Sequence, residues 1–142
     1  MPKISIILIA AQLALFTSPA LAAEFPRAGF DGAPNGQAAP FAGSWEMQFP
    51  QGDGVVVSEA VESCDDPIVI EAVDSTHIAY TSPQEADALV FEVYEFEGRT
   101  TWYQDAGDTA VVVWLTPDSF HLHEAKLGKA DWDNPMRMVR CD

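Results

Sequence analysis

Three histidines are the residues best suited to metal or acid–base chemistry in this chain. His121 and His123 flank Leu122 in a segment that alternates like a strand, so both imidazoles point to the same face. Imidazole is a common zinc ligand, and His77 could join the pair in the fold. The alternative places both histidines on the solvent face, with Leu122 and Phe120 towards the core. The alternation favours this second interpretation, and we expect no native metal site.

A second candidate is a run of oxygen-bearing side chains late in the chain. Asp131, Asp133 and Asn134 have the short spacing that a calcium loop uses, but the run lacks the glycine of the sharp turn and the downstream glutamate. A polar turn with Trp132 packed inward is favoured instead. Asp105 and Asp108 are likewise typical of an ordinary turn. We expect no cofactor.

Catalytic motifs and overall charge restrict the function further. The sequence contains no G-x-S-x-G, no H-E-x-x-H and no glycine-rich phosphate loop, so we expect a binding protein and not an enzyme. The 142 residues fit one domain and carry a net charge of −15. Such acidity disfavours nucleic acids and anionic membrane surfaces as partners, because both are bound through clustered lysine and arginine.

The first 22 residues have the features of an export signal. Lys3 precedes an apolar stretch, and Ala20-Leu21-Ala22 matches the small-x-small pattern of a signal peptidase site. We therefore expect cleavage after Ala22, a periplasmic or secreted protein, and no membrane insertion once the signal is removed. The remaining chain would carry a charge of −16, from six basic and 22 acidic residues.

The two cysteines lie in the part of the chain that would be exported. Thiols are oxidised outside the cytosol, and Cys64 with Cys141 is the one intramolecular pairing that two cysteines allow. A redox or metal pair is the alternative, but the sequence has no C-x-x-C spacing. We expect a disulfide that ties the penultimate residue to an early loop.

The rest of the chain alternates between short apolar segments and turn signals. Residues 23–40 are rich in alanine, glycine and proline and predict an irregular N-terminal arm. Residues 41–142 contain eight or nine strand-like segments, with Glu97-Gly98 as a tight hairpin signal and Ser82-Pro83 as the start of at most a short helix. This pattern predicts an all-β fold: a small antiparallel meander barrel of about eight strands, with the arm and one disulfide.

Phe41-Ala42-Gly43-Ser44-Trp45 matches F-x-G-x-W at the start of the first strand. This motif resembles the opening of lipocalin-like (calycin) barrels, in which the tryptophan packs across the closed end. The resemblance implies a barrel that binds a small apolar ligand. The arm and the order Trp45…Cys64 are also similar to those of small secreted barrels that inhibit bacterial metalloproteases. That second resemblance implies a protein partner.

One strand-like segment, residues 111–115, is apolar on both faces, which is unusual for a small barrel. The arm, through Phe25 and Phe30, a second copy or a partner protein could cover its outer face. We take Val112 and Trp114 of this segment, with Phe25 and Phe30, as candidate binding residues. The primary hypothesis is an exported acidic module that binds a protein partner, including the case of an inhibitor. The alternative is a lipocalin-like binder of a small apolar ligand.

Overall fold

The computed structural model describes residues 25–51, 54–56, 63–105 and 107–142. The predicted signal peptide, residues 1–22, and residues 57–60 of a predicted strand lie outside this part of the chain. One 3-10 turn, Ala39–Phe41, precedes the first strand. The ten strands are β1 (Gly43–Gln51), β2 (Gly54–Val56), β3 (Ile68–Ala72), β4 (His77–Thr81), β5 (Leu89–Phe96), β6 (Arg99–Tyr103), β7 (Thr109–Thr116), β8 (Ser119–Lys126), β9 (Lys129–Ala130) and β10 (Met136–Arg140).

Eight of these strands close into an antiparallel barrel, which confirms the predicted fold class. The order is β1, β3, β4, β5, β6, β7, β8 and β10, and β10 pairs with both β8 and β1. The short strands β2 and β9 lie off this ring and pair with β1 and β8 respectively. Closure leaves the eight ring strands without a free edge, which removes the usual route to edge-to-edge aggregation.

Alternating apolar residues fill the inside of the barrel. On β7 the inward residues are Ala110, Val112 and Trp114, and on β8 they are Phe120 and Leu122. The same period of two places buried isoleucines on β3 and β4. The register pairs inward residues with inward residues on neighbouring strands, so a slip by one position would turn this core out to water.

Aromatic side chains plug one end of the barrel. Phe41, at the end of the 3-10 turn, stacks on Trp114 with ring centroids 4.7 Å apart and meets Phe120 edge-to-face at 5.2 Å. Trp45 lies beside Phe120 at 4.9 Å, and its indole N–H donates a 2.8 Å hydrogen bond to the Phe41 carbonyl. The F-x-G-x-W segment therefore closes this end by packing its two aromatic residues into one cluster.

Arg140, the last residue of β10, holds the plugged end together. Its guanidinium donates hydrogen bonds to the carbonyls of Pro40 (2.9 Å) and Ala42 (2.8 Å) and pairs with Asp118 at 3.0 Å. It also lies 4.3 Å from the ring centroid of Trp45, a cation–π contact. A Cβ at Gly43 would come within 2.7 Å of the Arg140 Nη1, and the φ of +141° also favours glycine there.

The turns agree with the sequence at one hairpin and differ at two other places. Glu97 and Gly98 have φ of 51° and 73°, as the predicted tight hairpin requires. The sequence of residues 126–134 predicts one longer connection, and this prediction is wrong, because Leu127 and Gly128 (φ 52° and 75°) form a second tight turn into β9. The segment that begins at Ser82 is a turn without helix, since β5 starts at Leu89.

The predicted disulfide between Cys64 and Cys141 is present, with 77 residues of sequence separation and 5.6 Å between the two Cα atoms. Cys141 also donates its backbone N–H to the Ser44 carbonyl at 2.8 Å. The bond therefore fastens the loop before β3 to the chain end beside β1. In the chain-entropy treatment, closing so long a loop stabilises the fold by about 4 kcal/mol.

Cys64→Ser and Cys141→Ser should lower the free energy of unfolding equally, by about 4 kcal/mol, because each removes the same cross-link. The double variant should be no less stable than either single variant. Urea unfolding of all three proteins at pH 7 measures this. Additive losses in the double variant would contradict a shared cross-link.

Arg140→Gln should lower the free energy of unfolding by about 2 kcal/mol, because it removes the cation–π contact with Trp45 and the charged donor to the Pro40 and Ala42 carbonyls. The control is Lys126→Gln, which removes the same charge from a side chain that is 86% exposed. We expect that control to stay within about 0.5 kcal/mol of the parent protein. Equal losses from both variants would show that Arg140 acts only through net charge.

Candidate functional site

The two adjacent histidines lie on the outer face of β8, as the alternation predicted, but they are not exposed. His121 is 1% exposed and His123 is 0% exposed. Phe25 of the arm packs edge-on against His121 at 5.6 Å, and Trp132 packs against His123 at 4.8 Å. The expectation of a solvated face is wrong because the arm and the chain after β9 both fold over this strand.

Hydrogen bonds indicate a neutral ring for each histidine. The Nδ1 of His123 lies 2.9 Å from the carbonyl of Asp131, to which it donates, and the Nε2 of His121 accepts from the Arg137 Nε at 3.4 Å. The remaining nitrogens, His121 Nδ1 and His123 Nε2, are buried and have no hydrogen-bond partner within the described ranges. Both rings thus carry their proton on Nδ1, and their centroids lie 5.8 Å apart.

Burial and positive neighbours disfavour a charge on this pair. Burial lowers the pKa of His121 to about 4, and the nearby Arg137 guanidinium and His123 act in the same direction. Burial also lowers the pKa of His123, although its contact with Asp131 opposes the shift. The pair is therefore neutral at physiological pH.

The other metal candidates are occupied by local hydrogen bonds. His77, at the start of β4, contacts Asp74 through Nδ1 at 2.9 Å, and hydrogen bonds from the Thr76 backbone and from His77 lower the pKa of that carboxyl. The Asp131 carboxylate accepts from the Asp133 backbone N–H and the Asn134 amide within its own turn. No group of three or more potential metal ligands occurs in the part of the chain that the structure describes.

The four candidate binding residues separate into two groups. Val112 and Trp114 point into the barrel and are 0% and 1% exposed, so neither presents a surface to a partner. Phe25 and Phe30 lie in the arm, where Phe25 contacts His121 and the Phe30 backbone N–H bonds to the Trp114 carbonyl at 3.2 Å. The arm thus lies along the strand that is apolar on both faces. Of the three coverings considered, the arm is the one present.

The barrel end opposite the aromatic plug is open and holds a cavity of about 400 Å³. The cavity lies farther from the plugged end than Trp45 and Trp114 do. Its lining residues Met47 on β1 and Ala110 on β7 are two and four positions away from these tryptophans. Trp102 forms part of its wall. Eight apolar or aromatic side chains contribute to the lining: Met47, Tyr80, Phe91, Trp102, Ala110, Leu122, Ala125 and Met136. We call this cavity the barrel mouth.

The rim of the barrel mouth carries more negative than positive charge. Asp108 and Glu124 contribute carboxylates, and Lys126 contributes one ammonium 3.9 Å from Glu124. The sequence interpretation missed these residues as a group. Period-two alternation could have identified the inward positions, but it does not say how far the plug extends into the barrel and where the empty space begins.

Comparison with known proteins adds no assignment. No protein-family model, no curated protein and no solved structure matches this chain. A search of the described residues for a helix long and apolar enough to cross a membrane found none. The geometry of the barrel mouth and of the outer face is therefore the basis for the functional argument.

Lowering the pH from 7 towards 4 should destabilise the protein through His121. The unfolded chain takes up a proton on this residue near pH 6.5, whereas the folded protein does so only near pH 4. The free energy of unfolding should therefore fall in this window by up to about 1.4 kcal/mol per pH unit. Urea unfolding at pH 7, 6 and 5 should show a smaller pH slope for His121→Gln. Equal slopes would contradict the buried neutral state, because both proteins share the same carboxylates.

Proposed function

We propose that this protein is an exported binding protein for a small apolar ligand, which enters the barrel mouth. The single observation that carries the proposal is the open cavity of about 400 Å³, lined mainly by apolar and aromatic side chains. Small-molecule sites are concave, apolar and typically 300–1,000 Å³ in volume. The resemblance of Phe41–Trp45 to lipocalin-like barrels supports the same class of function.

The rigidity of the other end supports a preformed site. Phe41, Trp45 and Arg140 fix the plugged end, and the closed ring of eight strands forms the wall of the mouth. A cavity that exists before the ligand arrives avoids part of the ordering cost of binding. Binding at the mouth would then draw on the burial of apolar area.

Charge selects among apolar ligands. Asp108 and Glu124 at the rim, with a net charge of −15 on the chain, disfavour a carboxylate or sulfonate at the entrance. A neutral or amine-bearing ligand fits this electrostatic field better. The two carboxylates are exposed at the rim, where water solvates them, so binding and not catalysis is the role we assign to the mouth.

The hypothesis of a protein partner receives less support from the contacts. It depended on Val112 and Trp114 at the surface and on an arm that is free to enter a partner. The two strand residues lie in the core, and the arm is bonded to the barrel through Phe30 and through Arg27, whose carbonyl accepts from the Arg99 Nε.

Export is the second part of the proposal. A long-range disulfide persists in oxidising compartments such as the periplasm or the extracellular space. The signal-like residues 1–22 point to the same compartments.

Ala110→Leu should weaken binding of the neutral fluorescent probe N-phenyl-1-naphthylamine at least tenfold. Ala110 lies in the cavity wall and is 9% exposed, so a larger side chain there takes up space that the probe needs. Titration of the probe, followed by its emission, gives the dissociation constant of each protein.

The matched control for this prediction is Val90→Leu, which enlarges a residue that is 49% exposed and lies outside the mouth. Binding should be unchanged in that variant. The proposal would be refuted if the probe failed to bind the parent protein, or if both substitutions weakened binding equally.

A further inference from the structure

A second depression lies on the outer surface beside the arm and adjoins the barrel mouth, because Thr109 and Ala125 line both. Its floor consists of outward-facing residues of β6, β7 and β8, namely Thr101, Thr109, Val111 and Ala125. Arg27 of the arm borders one side, and Trp132 with the β8–β9 hairpin borders another. Tyr94 and Phe96 of β5 extend the wall. The volume is about 660 Å³. We call this depression the outer groove.

Basic side chains are concentrated in the outer groove. Arg27, Arg99 and Lys129 all line it, which is three of the seven lysines and arginines in a chain with 22 acidic residues. No carboxylate within the described ranges lies at ion-pairing distance from any of the three. Glu97 is the acidic residue that the described lining includes. Six of the seven basic residues lie outside the predicted signal peptide. Three of these six line the outer groove, without an ion-pairing carboxylate among the described residues.

The two arginines are held close together by the same aromatic ring. The guanidinium carbons of Arg27 and Arg99 lie 5.3 and 4.9 Å from the ring centroid of Trp132. Arg99 uses its Nε to donate to the Arg27 carbonyl, and the other N–H groups of both guanidinium groups make no hydrogen bond to any residue that the structure describes, so they can bind a ligand. Two like charges at one ring repel each other, and an anion between them would remove that repulsion.

We propose that the outer groove binds a small organic anion with an apolar or aromatic body. Its carboxylate, sulfonate or phosphate group lies between Arg27 and Arg99, since a guanidinium matches the planar donor pattern that such groups accept. Its body lies against Trp132 and over Val111. The groove therefore selects the charge type that the rim of the barrel mouth disfavours.

Net charge and size favour a small ligand over a macromolecule here. An acidic protein would be repelled by the charge of −15 on this chain, and a basic protein would meet three unpaired cations in the groove. A single anionic group is repelled far less than a whole acidic surface. The volume of about 660 Å³ is also in the range of small-molecule sites.

The test uses 8-anilinonaphthalene-1-sulfonate, which is N-phenyl-1-naphthylamine with one sulfonate added. Arg27→Gln should weaken its binding about tenfold, the usual effect of losing one charge-assisted hydrogen bond. The Arg27 backbone carbonyl remains in this variant, so the contact from Arg99 is retained. Binding of the neutral N-phenyl-1-naphthylamine should be unchanged. Each dissociation constant is measured by emission titration.

A second variant pair keeps the test valid if Arg27→Gln fails to fold. Lys126 and Lys129 are both exposed and face each other across the β8–β9 hairpin, but Lys129 lines the outer groove whereas Lys126 lies at the rim of the barrel mouth, so the pair also tells which of the two sites holds the sulfonate. Lys129→Gln should weaken sulfonate binding about threefold, and Lys126→Gln should not change it. Because the pair removes the same charge from the same hairpin, a general effect of net charge would alter both equally.

The outcomes separate this inference from the proposed function. It is overturned if the sulfonate probe does not bind the parent protein, if Lys126→Gln and Lys129→Gln weaken it equally, or if Ala110→Leu abolishes its binding. The last result would place both probes in the barrel mouth. Loss of neutral-probe binding in Ala110→Leu with sulfonate binding retained would support two independent sites.

Discussion

The contact of Arg140 with Trp45 is the interaction on which the rest of the structure depends. Closing a meander barrel requires the last strand to find the first, and these two residues face each other in the β1–β10 register. The guanidinium lies on the indole ring and donates hydrogen bonds to the Pro40 and Ala42 carbonyls, which flank Phe41. One side chain thus joins the chain end, the first strand and the aromatic plug.

The aromatic residues that plug one end of the barrel leave unfilled space at the other end. The aromatic cluster around Phe41 and Phe120 provides the dense packing that a small domain requires for stability. Past this layer the inward residues become smaller, as at Ala110, or more flexible, as at Met47 and Met136. The barrel mouth is a consequence of this division between a packed end and an open end.

The outer face of β7 and β8 is covered in part by the N-terminal arm. Phe25 and Trp132 pack against the two neutral histidines of β8, and the Phe30 backbone bonds to Trp114 of β7, the strand that is apolar on both faces. The same covering brings Arg27 towards Arg99 and forms the wall of the outer groove. The arm therefore has two effects: it covers the apolar strand β7, and it brings Arg27 to the basic outer groove.

The sequence by itself determined the class of fold, the tight turn at Glu97-Gly98 and the pairing of Cys64 with Cys141. Alternation, turn chemistry and cysteine count are local properties that a chain carries without its tertiary structure. The sequence does not determine which side chains of residues 111–115 point into the barrel, because both faces of this segment are apolar and alternation gives neither face a preference. The barrel mouth and the outer groove were decided only by tertiary structure. Both depend on which distant segments pack together, and neither spacing nor residue type encodes where empty space remains.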